Sequence, residues 1–278
     1  MQLGLCFVAV ATLIGESKSL NAQRAAPAAA AETVASAPRP VARVSDAAFE
    51  RVLIKTKDSQ TVVGSFFAPK AKQGAPGALL VHSAGGNRSE MVALAERLQK
   101  LGFGALVIDL RGHGESATAE NNWTKLDEKA RESMWAFAVR DVAASSDWLL
   151  GQPSVHASNL SLIGYRSGTT LVARHAKSDE NVRSLTLLSP PSSGVELGFN
   201  LVKDLEELSG LPIYMAFSKD EPGTSKMLGS PDKKTGDLEF LQIAIFKCPG
   251  TELLEDKKLS TDVSKWIQER AMPSKGSR

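Results

Sequence analysis

Residues 161–170 read "SLIGYRSGTT". An apolar run, then Gly164-x-x-x-Gly168, then a helical start spells strand, sharp turn, helix. Glycines on both sides of such a turn lack a Cβ and let the helix begin close against the strand that feeds it. In Gly164-Tyr165-Arg166-Ser167-Gly168 the centre is Arg166. A cation there needs compensation, because the amides of a first helical turn favour an anion.

Outward from this turn, short apolar runs alternate with amphipathic stretches. "ALLVHS" (78–83), "GALVIDL" (104–110), "LSLIGY" (160–165), "SLTLLSP" (184–190), "LPIYMAF" (211–217) and "QIAIFK" (242–247) have the length and near-continuous apolarity of parallel strands covered on both faces. Between the first two, "SEMVALAERLQKLGF" (89–103) has helical spacing, with Ser89 at its start and Gly102 where a C-terminal cap belongs. "MWAFAVRDVAASSDWLL" (134–150), "TTLVARHA" (169–176) and "STDVSKWIQERA" (260–271) repeat the helical pattern. "FERVLIKT" and "VVGSFFAP", joined by the turn "KDSQ" (57–60), predict an antiparallel hairpin before the alternation begins. The whole predicts an α/β fold, a doubly wound and mostly parallel sheet with an N-terminal hairpin. Residues 190–210 leave room for a minimal cap only.

Composition excludes several function classes. The 278 residues carry 33 basic and 31 acidic side chains, interspersed, so no basic tract is available to neutralise a nucleic acid backbone. Zinc-type Cys/His spacing, a P-loop and a dinucleotide-binding Gly pattern are all missing, so no metal and no cofactor is expected. The apolar core Leu3–Ile14 is too short to span a membrane and suits a secretory signal, with the best cleavage point after Ala22; an uncleaved anchor over 1–22 is the alternative. Residues 23–46 are Ala/Pro-rich and read as a flexible tether, 47–271 as the folded domain and 272–278 as a polar tail. Cys6 lies in the apolar segment, which leaves Cys248 without an intrachain partner once that segment is removed.

The motifs together resemble the α/β-hydrolase superfamily, in its esterase, lipase and serine-peptidase branches, over roughly residues 48–270. "LLVHSAGGNRSEM" (79–91) is similar to that family's oxyanion loop, which the resemblance places on His82, Ser83 and Ala84 together with Ser167. "VIDLRGHGES" (107–116) is similar to the loop after the fourth strand, and "LIGYRSG" (162–168) to the nucleophile elbow at every position but the nucleophile. "FSKDEP" (217–222) resembles the acid turn, which implies the triad acid at Asp220. "FKCPGTELLE" (246–255) resembles the histidine loop, with Pro249 where the family has histidine. Two triad positions are therefore substituted, Ser by Arg166 and His by Pro249, and the chain has no histidine after His175.

The remaining route to hydrolysis is a rebuilt site, with Ser167 or Ser83 as nucleophile and His82 as base. Ser167 follows the apex and belongs to the first helical turn, which turns its side chain away from the attacking position. His175 lies eight residues further along that helix, roughly 12 Å away at the helical rise. The expected function is that of an exported pseudoenzyme that binds a small or anionic ligand in the former active-site cleft, with Arg166 held by Asp220 or by that anion. The alternatives are an active carboxylic-ester hydrolase or peptidase, and a structural envelope protein. Nothing in the sequence specifies an oligomeric state.

Overall fold

The computed structural model describes residues 49–218, 241–246 and 254–271. The chain opens with β1 (Glu50–Lys55) and β2 (Thr61–Phe67), paired antiparallel from Glu50↔Phe66 to Lys55↔Thr61. Their connection closes on Thr56, whose Oγ1 donates to Asp58 at 2.6 Å and accepts the Gln60 amide at 2.9 Å. There follow β3 (Ala75–Val81), α1 (Val92–Lys100), β4 (Gly104–Asp109), α2 (Glu128–Leu150), β5 (Val155–Tyr165), α3 (Gly168–Ala176) and β6 (Val182–Leu188). A two-strand ribbon, β7 (Val195–Glu196) and β8 (Phe199–Asn200), leads into α4 (Leu201–Glu206). The remaining described elements are β9 (Ile213–Ser218), β10 (Leu241–Phe246) and α5 (Lys257–Ala271).

Eight strands form one sheet in the order β1-β2-β4-β3-β5-β6-β9-β10. Only β2 runs against its neighbours, pairing antiparallel with β1 and β4, while every other neighbouring pair is parallel. Every residue of β3 and β4 is buried, as parallel strands covered on both faces require. One face is packed by Trp135, Val142 and Leu149 of α2, Leu171 of α3 and Leu205 of α4. The other is packed by Leu94 and Leu98 of α1 and by Leu259, Val263 and Ile267 of α5. The sheet is thus doubly wound, and the C-terminal ends of β3, β5 and β6 lie side by side, where open α/β sheets place their ligand crevice.

Two elements are longer than apolar periodicity predicts. Helix α2 begins at Glu128, well before the apolar run at Met134, because Asp127 caps it by accepting the Ala130 amide at 2.8 Å. Strand β5 begins at Val155 rather than Leu160, its polar first half pairing with β3 through an irregular register between Ala75 and Gly77. The cap stretch holds the β7–β8 ribbon, turned by Leu197 (φ 49°) and Gly198 (φ 79°), and then the short α4.

The loop after β4 is tied to α2 and to the β1–β2 turn by one arginine. Arg111, nearly buried, donates its backbone amide and guanidinium to the fully buried Asp141, and two further guanidinium bonds to Asp58 at 2.8 and 3.1 Å. Removal of Asp141 leaves the buried guanidinium with Asp58 alone as counter-charge and strands the donors that Asp141 accepted from. Asp141→Ala is therefore expected to lower the unfolding free energy by about 3–5 kcal/mol in a denaturant titration.

Candidate functional site

The turn between β5 and α3 is built by two close approaches. A Cβ on Gly164 would lie 2.7 Å from the Gly168 carbonyl oxygen and from the Thr169 backbone. One on Gly168 would lie 2.5 Å from the His82 carbonyl oxygen and 2.7 Å from that of Val81. No side chain fits at either position without moving backbone. Between them Arg166 adopts a left-handed φ of 50°, whereas Ser167 is already helical at φ −55°.

A non-glycine residue in that region costs on the order of 1–3 kcal/mol and persists only where its surroundings hold it. The Arg166 amide donates to the Leu188 carbonyl at 2.8 Å, and its carbonyl accepts from the Thr169 amide at 3.0 Å and the Thr169 hydroxyl at 2.5 Å. Its Nε donates to the Tyr165 hydroxyl at 3.0 Å, with the guanidinium carbon 5.5 Å from the Tyr165 ring centre. Its charge also reaches two glutamates. Burial pushes the carboxyls of Glu90 and Glu196 above the usual range, and Arg166 acts on both in the opposite direction.

The loop after β3 spends its amides within the protein. Ser83 N–H and Oγ both donate to the Glu90 carboxylate, at 3.0 and 2.9 Å. The Ala84 amide donates to Ser167 Oγ at 2.6 Å, the Gly85 amide to His113 Nε2 at 3.1 Å, and the Gly86 amide to the Ser83 carbonyl at 3.0 Å. A carbonyl oxygen seeking the Ala84 amide would have to displace the Ser167 hydroxyl. That hydroxyl also makes no cap bond to its own helix, so α3 starts without a side-chain cap.

His82 and Ser167 do not pair. His82 Nε2 accepts the Leu110 amide at 3.0 Å, which puts the ring proton on Nδ1, where it is shared with the Ser83 carbonyl at 2.6 Å. Both ring nitrogens are occupied, so the rebuilt dyad with His82 as base is absent from this arrangement. Complete burial, with His113 close by, holds the His82 pKa down at about 3. His113 is engaged in the same way, by the Gly85 amide and the Arg111 carbonyl, and packs between His82 and Trp123. His175 Nε2 faces Ser146 and Asp179, and His156 lies at the start of β5, the end of the strand opposite the turn. All four histidines of the sequence are thus located.

Ser83, Ala84, Arg166 and Ser167 line one wall of an open cleft of about 480 Å³, faced by residues 189–193 and by Val195 and Glu196 of the ribbon. Asp220, Pro249 and Cys248 lie outside the described residues. Among the described residues no three His, Cys, Asp or Glu side chains gather as metal ligands. Three residues of this region carried no sequence signal. Glu90 sits in an ordinary helical start, and Glu196 reaches the cleft only through the ribbon. Ser189 is buried and left-handed at φ 47°, and its hydroxyl has no hydrogen-bond partner among the described residues; the Pro190-Pro191 pair follows it.

Residues 63–207, just over half of the chain, match the model of the dienelactone hydrolase family. The uncharacterized protein Rv2307c of Mycobacterium tuberculosis (strain ATCC 25618 / H37Rv) is 27% identical over 147 residues, covering 53% of this chain and 47% of that protein. The chain therefore spans about half the length of the curated relatives it matches. Among solved structures, a cold-adapted esterase from an Arctic intertidal metagenomic library superposes with a TM-score of 0.62 at 16% identity, covering 80% of this chain and 94% of that one. The α/β hydrolase GrgF from Penicillium sp. sh18 superposes with a TM-score of 0.61 at 14% identity, covering 81% and 99%. The fold is that of the α/β-hydrolases.

The depressed pKa of His82 gives a stability signature with a definite sign. The ring is neutral in the fold and protonates near pH 6.5 when unfolded, so its contribution is complete above about pH 6.5 and is lost as pH falls towards about 3. His82 alone should contribute a loss of up to about 1.4 kcal/mol per pH unit across that window. Its ring should show no NMR titration between about pH 5 and 8. A ring that titrates near pH 6.5 in the folded protein would contradict the bonding described.

Proposed function

The chain belongs to the dienelactone hydrolase family, and on that premise we propose that it is a non-hydrolytic member, an exported protein that binds a small molecule in its cleft without turning it over. The observation that carries this reading is the apex of the strand–helix turn, where the left-handed residue is Arg166. A guanidinium stays protonated at any physiological pH and has no lone pair to offer as nucleophile. The environment of the other groups supports the same reading. Ser167 Oγ is engaged by the Ala84 amide, Ser83 Oγ donates to a carboxylate, and His82 has both nitrogens occupied. Loss of a nucleophile or base alone removes several orders of magnitude in rate.

The test is labelling by a fluorophosphonate probe together with hydrolysis of short acyl esters. The expected result is no covalent adduct and no hydrolysis above background. Labelling of Ser167 or Ser83, abolished by Ser→Ala at the labelled site, would restore the ester-hydrolase reading. The double variant Arg166→Ser with Pro249→His should acquire weak esterase activity, since it supplies the nucleophile and base at the two substituted positions.

Export rests on the apolar segment Leu3–Ile14 and the Ala/Pro-rich stretch behind it. Recovery of the protein from the periplasmic or secreted fraction, with a new N-terminus after Ala22, is the expected outcome. A cytoplasmic protein retaining Met1 would refute it.

A further inference from the structure

We propose that the β7–β8 ribbon is a flap over the cleft, held down by the attraction between the Glu196 carboxylate on the ribbon and the Arg166 guanidinium on the facing wall. The proposal rests on the reading of that cleft as a binding site and assigns what governs entry to it.

The ribbon is attached to the body by side chains and not by backbone. Its two strands hold two residues each, a size that is marginal by itself. Among the described residues its hydrogen bonds stay within 191–203. They are the β7–β8 pairing, the Gly194 amide to the Pro191 carbonyl at 2.9 Å, the Leu201 amide to the Gly194 carbonyl at 2.7 Å, Ser193 Oγ to both backbone groups of Val195, and the Lys203 amide to the Asn200 side chain at 3.0 Å. Open space borders the ribbon in two places. Val195 and Glu196 line the cleft, and Leu197, Gly198 and Phe199 line a second groove of about 580 Å³ against α2. Phe199 is the anchor, buried with the Arg174 guanidinium carbon 4.8 Å from its ring centre, and Arg174 is itself held by Asp204 of α4. The tip pulls the other way. Its two turn residues, Leu197 and Gly198, both have positive φ, at 49° and 79°, a turn that suits Asn or Gly at its first position. A leucine there persists only while its surroundings hold it.

Glu196 is the one charged residue from Ser193 to Asn200. Its side chain is half-buried in the cleft wall and makes no hydrogen bond or close ion pair among the described residues. The positive charge acting on it is that of Arg166, against the upward push of burial on its carboxyl. That attraction acts across space and needs no vacant donor, so Arg166 keeps its bond to the Tyr165 hydroxyl throughout. Lifting the ribbon returns the carboxylate to water and gives up the attraction, a small exchange of the size of a surface pair. A flap held by so little opens in ordinary fluctuation, and loss of one charge loosens it.

The experiment is hydrogen exchange of the full chain by mass spectrometry, read as protection factors for peptides over residues 193–200 and 182–188. The ribbon is expected to be about a hundredfold or more less protected than β6. Glu196→Gln should lower ribbon protection by about twofold to fivefold, and Glu196→Lys, which turns attraction into repulsion, by about tenfold, with the melting temperature and β6 protection unchanged. Ala84 lines the same cleft, so in an Ala84→Cys background alkylation at position 84 by N-ethylmaleimide, located by peptide mapping, should accelerate by the same factors. Ribbon protection equal to that of β6, protection unchanged by both Glu196 variants, or faster exchange without faster alkylation would each overturn the proposal. Should the Ala84 variant not fold, the exchange data alone decide. Turnover of a short acyl ester by the wild type would instead overturn the non-hydrolytic reading, with the exchange data still deciding on the flap, which keeps the two failures distinct.

Discussion

The first turn of α3 lies against the backbone of two strands at once, and the rest of the site depends on that contact. Gly164 touches the helix start from β5, and Gly168 touches the end of β3 and the first residue of the loop beyond it. With backbone on every side, neither contact can relax by moving a side chain. The approach forces the intervening residue into the left-handed region, and it brings Ser167 to within 2.6 Å of the Ala84 amide. The geometry of a reactive centre is thus retained by packing constraints that do not depend on which side chain occupies the apex.

The polar groups around that turn are spent within the protein. An active oxyanion site keeps amides pointed at the position a negative oxygen will occupy. In this protein the amides of Ser83, Ala84, Gly85 and Gly86 each have an acceptor from the chain itself, and two histidines serve as acceptors for the amides of Leu110 and Gly85. The four amides of that loop are thus satisfied by the chain itself, as buried backbone donors require. The His82–His113–Trp123 stack beneath it has the same character, with both imidazoles held neutral by burial.

Charge in the cleft follows from Arg166. Two carboxyls that burial alone would push towards protonation, Glu90 and Glu196, are partly held ionised by it, from opposite parts of the chain. Glu90 accepts hydrogen bonds from the Ser83 amide and hydroxyl, while Glu196 lines the cleft wall.

The sequence by itself determined the layering, because strand and helix periods and the runs 78–83, 104–110 and 160–165 are local properties that survive any packing. It also placed Arg166 at the centre of the turn, since Gly164 and Gly168 frame it whatever surrounds them. The apolar pattern could not mark the start of α2 at Glu128 or of β5 at Val155, where a cap and an irregular register extend the element beyond its buried face. Only the tertiary structure decided that His82 is fully bonded, that Ser167 turns to Ala84, that Ser189 and Glu196 line one cleft with Arg166, and that the Arg166 charge reaches Glu90. Those pairings join residues far apart in the chain, and hydrogen bonding and burial are properties of the assembled neighbours that no local pattern encodes.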